Sequence, residues 1–294
     1  MLTGIVIGAL SAAALLPQTD TIVQTNGASR LEVESLQGEV VVRVWDRDAV
    51  QVTAEQTDGP SIRIARSGSA IAIGPDVEKG QRFSHSMNLE ITVPKAFDLS
   101  VEGVAINVDV RGTEGRIEVM TAHGTIHVEG GGGSVALQSV NGPIHVEGVH
   151  GDLEVTGVAG GVTIQDCVGD VHAESVGGDM TLEGVTSTDV EVGTVGGVLR
   201  FEGSIEDGGQ YRFGTHGGEI WLYLPDGMNA QIDALTLAGD FEVSYPGAPS
   251  EPTRGEGIPG LTQKELSFEL GTGSARIEVE TFGGTIHILR AGGG

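Results

Sequence analysis

The chain has 294 residues and a formal net charge of −25, with 41 acidic side chains against 16 Lys and Arg. Such a surface repels nucleic-acid phosphate and anionic lipid, and argues against both as partners. Apolar residues make up 39% and aromatic residues only 4%, so any core is aliphatic, and 48 glycines imply many tight turns rather than a helical protein.

Residues 1–16 are apolar or small and carry no charge. The run is too short for a transmembrane helix, and it matches the apolar part of a secretory signal with Ala12, Ala13 and Ala14 near a cleavage point. The usual basic start is missing, and no Cys follows to take a lipid anchor. No later segment is apolar and long enough to span a membrane, so the mature chain is expected to be exported without membrane insertion, to the periplasm or cell surface.

Residues 17–110 alternate apolar and polar side chains with irregular spacing, as in Leu31/Val33, Val40/Val42/Val44, Val50/Val52, Ile71/Ile73, Leu89/Ile91/Val93 and Leu99/Val101. Alternation with β-branched residues predicts half-buried strands. A longer connection runs from Gly74 to Ser86.

Residues 111–225 are a repeat. The unit is Gly-x-φ-x-φ, where φ is apolar, and it begins at Gly115, Gly124, Gly133, Gly142, Gly151, Gly160, Gly169 and Gly178, nine residues apart each time. It continues, with small insertions, at Thr188, Gly197, Gly209 and Gly218. The φ pairs include Ile126/Val128, Ile144/Val146, Leu153/Val155, Val162/Ile164, Val171/Ala173 and Leu199/Phe201, and these are the expected inward residues. Glycine at each turn is expected to supply a positive φ.

Alternate turns differ. Glu129-Gly130, Glu147-Gly148, Glu183-Gly184 and Glu202-Gly203 alternate with Thr121-Ala122-His123, Ser139-Val140-Asn141, Ser175-Val176-Gly177 and Thr194-Val195-Gly196. The true period is therefore about 18 residues, with two short strands per coil. Stacking of equivalent residues about 4.8 Å apart explains that identity, and a hairpin meander does not. The expected fold is all-β: a single-stranded parallel β-helix, or β-solenoid, with irregular β-rich ends. The calcium β-roll is excluded, because Val135 and Ile144 stand where its motif needs Asp. The run Gly130 to Gly133 replaces an apolar turn and predicts one loosely packed corner.

Residues 226–294 resume with Ile232/Ala234 and Phe241/Val243, then a Pro- and Gly-rich loop at 244–260, then Leu266/Phe268/Leu270, Ile277/Val279 and Ile286/Ile288. The whole from 17 to 294 reads as one continuous domain whose ends differ to hide their open edges. Cys167, the single cysteine, occupies the turn position of Val149 and reads as a small buried hydrophobe.

Three stretches carry a family resemblance. They are Leu31-Glu32-Val33 with Gly38-Glu39-Val40-Val41-Val42 and Trp45-Asp46-Arg47-Asp48; Leu224-Pro225-Asp226-Gly227 with Ala230-Gln231-Ile232; and Gly271 to Ile277 with Thr281-Phe282-Gly283-Gly284-Thr285-Ile286. With the repeats between them, they resemble the bacterial β-strand-repeat "putative adhesin" family from about residue 20 to 290. The resemblance implies an exported, adhesin-like β-helix of the cell envelope, and no catalytic, cofactor-binding or metal-binding residues.

Stacking by 18 residues places Asp152, Asp170 and Asp189 in one outward column, with Glu154, His172 and Glu191 beside it. His127 and His145 form another, next to Glu129 and Glu147. Two rivals to a binding or structural protein follow. Acidic columns of this kind would suit a polysaccharide-active β-helix enzyme, although no long loops wall a cleft over them. Bare coil ends would suit an end-to-end self-assembling scaffold, although the acidic surface and irregular ends favour a monomer. The acidic column is relieved either by solvent and salt or by a cation such as Ca²⁺, and a flat strand favours the first. Trp221 and Tyr223 point outward, where they would stack on a sugar or be covered by the C-terminal segment. The expected partner is an envelope or surface ligand, protein or glycan, with no cofactor.

Overall fold

The computed structural model describes residues 18–56, 62–76, 86–249, 251–254 and 263–292. The signal-like run at 1–16, most of the connection from Gly74 to Ser86 and part of the 244–260 loop lie outside these residues. No helix occurs among the described residues, which form 25 strands in one hydrogen-bonded sheet folded on itself. The fold is a β-solenoid, as the 18-residue period predicts.

Each coil contributes one strand to each of two facing ladders. Ile117–His123, Val135–Asn141, Leu153–Gly157, Val171–Ser175, Asp189–Thr194 and Gln210–Thr215 pair in parallel in the first. Ile126–Glu129, Ile144–Glu147, Val162–Gln165, Met180–Val185, Leu199–Gly203 and Ile220–Leu224 do so in the second. The register is that of the repeat: Ile126 faces Ile144, Ile144 faces Val162, and Val162 faces Met180. Every φ pair of the regular region is buried between the ladders, and Pro143 on the other side of its strand is exposed. Near the C-terminal end of the repeat the core includes the buried rings of Phe201, Tyr211 and Phe213, with 4.9 Å between the Phe201 and Phe213 ring centres.

The repeat glycines supply positive φ at Gly124, Gly142 and Gly169, but most of them serve a second purpose. Gly160, Gly178, Gly197 and Gly218 do not have left-handed φ values. They stack on one another at one corner, where a Cβ on Gly178 would lie 2.5 Å from the carbonyl carbon of Gly160, too close for any side chain. Close approach of successive coils requires glycine here. The Ser or Thr three residues earlier completes the corner: buried Thr194, Thr215 and Thr281 accept backbone N–H bonds from Gly197, Gly218 and Gly284 at 3.0–3.3 Å. Within this stack positive φ is found at Gly124 (+118°) and Gly142 (+155°), and it recurs at the opposite corner at Gly148 (+67°), Asp166 (+51°) and Gly184 (+66°) on successive coils.

The expected loose corner at Gly130 to Gly133 is closed. Gly131 is buried, with the Val135 and Ile117 side chains filling the space that Val149 occupies one coil later.

Both ends depart from chain order. Ala275–Thr281 lies between Gln210–Thr215 and Ala230–Thr236, and Thr285–Arg290 between Ile220–Leu224 and Asp240–Ser244. The last coil is thus inserted beneath the one before it. At the other end Arg30–Trp45 sits between Asp98–Arg111 and a coil made by Ala70–Pro75 and Met87–Pro94. Antiparallel strands then finish the edges: Gln18–Gln24 on Ala49–Gln56, Ile62–Ser67 on Ala70–Pro75, and Lys264–Leu270 on Ala230–Thr236. A reversed strand cannot template another parallel coil, which opposes end-to-end growth.

One polar staple ties the inserted coil in place. Asp207 accepts hydrogen bonds from Ser274 Oγ at 2.7 Å and Asn229 Nδ2 at 3.0 Å, joining three separate segments. The Ser274 bond, then the Asn229 bond, lowers the Asp207 pKa below 3.8. A depressed carboxyl stabilises the fold above its unfolded pKa, and that contribution is lost as pH falls through the folded value. Asp207→Asn should therefore lower the melting temperature at pH 6 and have no such effect near pH 2. An equal deficit at both values would contradict the assignment.

Candidate functional site

Three outward features have enough chemistry to act. The first is the acidic column on the first ladder. Glu118, Ala136, Glu154, His172, Glu191 and Arg212 occupy equivalent places on successive strands. Asp152, Asp170 and Asp189 flank them along a shallow depression of about 540 Å³. Asp152, Glu154, Asp170, Asp189 and Glu191 are exposed and Glu118 is half-buried. The relief is partly internal: Arg212 reaches back to Glu191 at 3.1 Å and Asp189 at 3.4 Å, and His172 lies 3.7 Å from Glu191. His127 and His145 do stack in register, with ring centres 6.5 Å apart, and Glu129 faces Glu147. Among the described residues no three His, Cys, Asp or Glu side chains converge as a metal site would require. Cys167 is buried in line with Val149 and Val185, and desolvation pushes its thiol pKa up, which suits a packing role.

The second feature is aromatic. Trp221 does not offer a free face to a sugar. The His287 ring, from the inserted C-terminal coil, stacks on it with centres 3.6 Å apart and planes 6° from parallel. The Arg200 guanidinium lies 5.9 Å from the centres of both Trp221 and Tyr223. Trp221 Nε1 donates to Glu219 at 3.1 Å. His287 is only 6% exposed although it points outward, and its ring nitrogens face Glu242 at 3.0 Å and Glu219 at 3.8 Å without aligned hydrogen bonds. The C-terminal segment covers Trp221, as one of the two sequence readings had it. Tyr223 borders a cleft of about 840 Å³ with Tyr245, Arg290 and Leu289.

The third feature was not predicted. At the corner where the glycines stack, the residue after each buried Ser or Thr, or after the buried Gly157 in the same place, points toward solvent. Val140, Val158, Val176 and Val195 form a ridge that continues past Ala122 to Val104 and Leu36 at one end and past His216 to Phe282 at the other, each of the valines, Leu36 and Phe282 being 39–51% exposed. Backbone bonds from Ala159 to Val140, Gly177 to Val158 and Gly196 to Val176 hold the ridge in register. A shallow apolar groove of about 570 Å³ runs beside it, lined by Met120 and Ala122 and edged by Glu34 and Glu102. The signal was present in the sequence as Ser139-Val140, Ser175-Val176 and Thr194-Val195, but periodicity does not say which way a corner residue points.

The family model described as Toastrack DUF4097 matches residues 28–289. None of the curated proteins matches the chain. Among solved structures, a "putative cell adhesion protein" from Clostridium sporogenes ATCC 15579 is 14% identical, covering 93% of this chain and 99% of its own, with a TM-score of 0.24. A "putative adhesin" from Bacteroides fragilis NCTC 9343 is 15% identical over 93% of this chain and 97% of its own, with a TM-score of 0.38. A "putative lipid binding protein" from Parabacteroides distasonis ATCC 8503 is 11% identical over 70% of this chain and 89% of its own, with a TM-score of 0.43.

Proposed function

This chain belongs to the Toastrack DUF4097 family, and from that premise we propose that it is an exported, adhesin-like binding protein of the cell envelope rather than an enzyme. The observation that supports this reading best is the outward surface of the first ladder. Equivalent side chains from Glu118 to Arg212 lie in a straight line across successive strands. A regular surface that presents one side chain per coil along a shallow depression, polar at all of these positions but Ala136, suits an extended protein or glycan ligand, which gains affinity by many weak contacts in register. Catalysis asks for something else: a nucleophile or acid–base pair held in a recess that excludes water. The carboxylates here are solvated, and Arg212 neutralises part of the column. Export is supported by the uncharged run at 1–16.

The test is fractionation of the native host, with the N-terminus of the recovered protein sequenced. The expected result is a chain in the envelope or medium that lacks its first residues. An uncleaved cytoplasmic protein would sink the export reading. Binding of the purified protein to envelope fractions and to a glycan array, together with a depolymerisation assay on the same glycans, tests the rest. Turnover of any of them would replace the adhesin-like reading with an enzyme.

A further inference from the structure

We propose that the valine ridge is a self-association surface, and that its occupant is the ridge of a second copy of this chain, in a two-fold dimer. The expectation of a monomer rests on the acidic surface and the irregular ends, but the charge is not evenly spread and the ends do not bear on a side-by-side contact. Along the glycine-stacked corner, neither the ridge positions nor the positions that follow them, among them Asn141, Ala159, Gly177 and Gly196, hold any Asp, Glu, Lys or Arg. The opposite corner carries Glu129, Glu147, Glu183 and Glu202. Two molecules of charge −25 can therefore meet ridge to ridge with the nearest carboxylates, such as Glu102, Glu174 and Asp179, held to the rim, which the acidic column and the opposite corner do not allow.

Shape points to the same partner. Val158, Val176 and Val195 stand proud while Ala159, Gly177 and Gly196 after them are small, so each of these coils presents a knob beside a shelf. A second copy has the same rise per coil, about 4.8 Å, and only a surface with that repeat can seat a knob on every shelf along the whole ridge. Stacked ladders interlock by this logic in dry β interfaces. An edge of ten coils is about 45 Å long, and at two side chains wide the pair would bury on the order of 1,000 Å². That is at the low end for specific association, so the dimer should form at micromolar concentrations and not persist at nanomolar ones. A two-fold contact also closes on itself, leaving both acidic ladders exposed for a ligand.

The experiment is sedimentation of the purified protein from about 1 μM to 500 μM, alongside Val158→Glu/Val176→Glu. Both valines are exposed in the single molecule, so the variant should melt like the wild type. Wild type should pass from monomer to dimer across that range, more readily at high salt because residual repulsion is screened. The variant should stay monomeric. A wild-type protein that stays monomeric throughout, a variant that still dimerises, or species larger than a dimer would each overturn the proposal. Single cysteines locate the contact, since Cys167 is buried. Oxidation should capture a dimer with Val176→Cys and not with Val168→Cys, an equally exposed position on the opposite corner. The reverse pattern would place the interface elsewhere.

Discussion

Val171→Asp is expected to destabilise the protein by about 4 kcal/mol, the largest effect of any single core change considered. Val171 is 2% exposed and sits in the middle of the first ladder, between Leu153 on one coil and Val190 on the next. Its surroundings are aliphatic on the facing ladder as well, so a carboxylate there finds neither water nor a hydrogen-bond donor. Burial raises the pKa of such a group, which makes the deficit larger as pH rises and smaller toward pH 4. The control is Val168→Asp, since Val168 is 46% exposed at the turn just before the same strand. It should change stability by no more than about 0.5 kcal/mol. Thermal melts of the three proteins at pH 5 and 8 decide the matter, and a Val171→Asp protein that melts with the wild type would mean the inward register is wrong.

Gly178→Ala comes next, at about 3 kcal/mol, which corresponds to a melting-temperature drop on the order of 5–10 °C. A single methyl group is enough because its neighbour is the backbone of Gly160, which cannot swing away as a side chain would. Two other glycines separate this cause from the more familiar one. Gly148 has φ of +67° and open space around it, so Gly148→Ala should lose only about 1 kcal/mol to the left-handed conformation. Gly193 has neither a left-handed φ nor a close neighbour, and Gly193→Ala should be neutral or slightly stabilising. If Gly178→Ala and Gly193→Ala melted alike, close stacking of the coils would not be what the repeat glycines provide.

The candidate surfaces were unevenly legible. The acidic column could be placed residue by residue, because a position one residue from a φ residue points outward and a period of 18 carries it from strand to strand. Arg212 was not expected to reach back to Glu191 and Asp189, since a long side chain spans coils that sequence spacing treats as separate. The sequence allows two readings of Trp221. Only the inserted strand, which brings His287 from far along the chain against the indole, chose between them.

By itself the sequence determined the secondary structure, the coil length, the inward and outward sides of each strand and the absence of an obvious catalytic motif. These depend on neighbours along the chain and on a repeat whose copies must superpose. Tertiary structure decided the order of coils at both ends, where Thr285–Arg290 slips between Ile220–Leu224 and Asp240–Ser244. Strand pairing depends on matched apolar faces and backbone hydrogen bonds, and every coil offers much the same ones. Which coil lies beside which is therefore settled by loop closure and by staples such as Asp207 with Ser274 and Asn229. The direction of the corner valines was settled the same way, because a turn residue points wherever the buried Ser or Thr before it and the stacked glycine after it force the backbone to go.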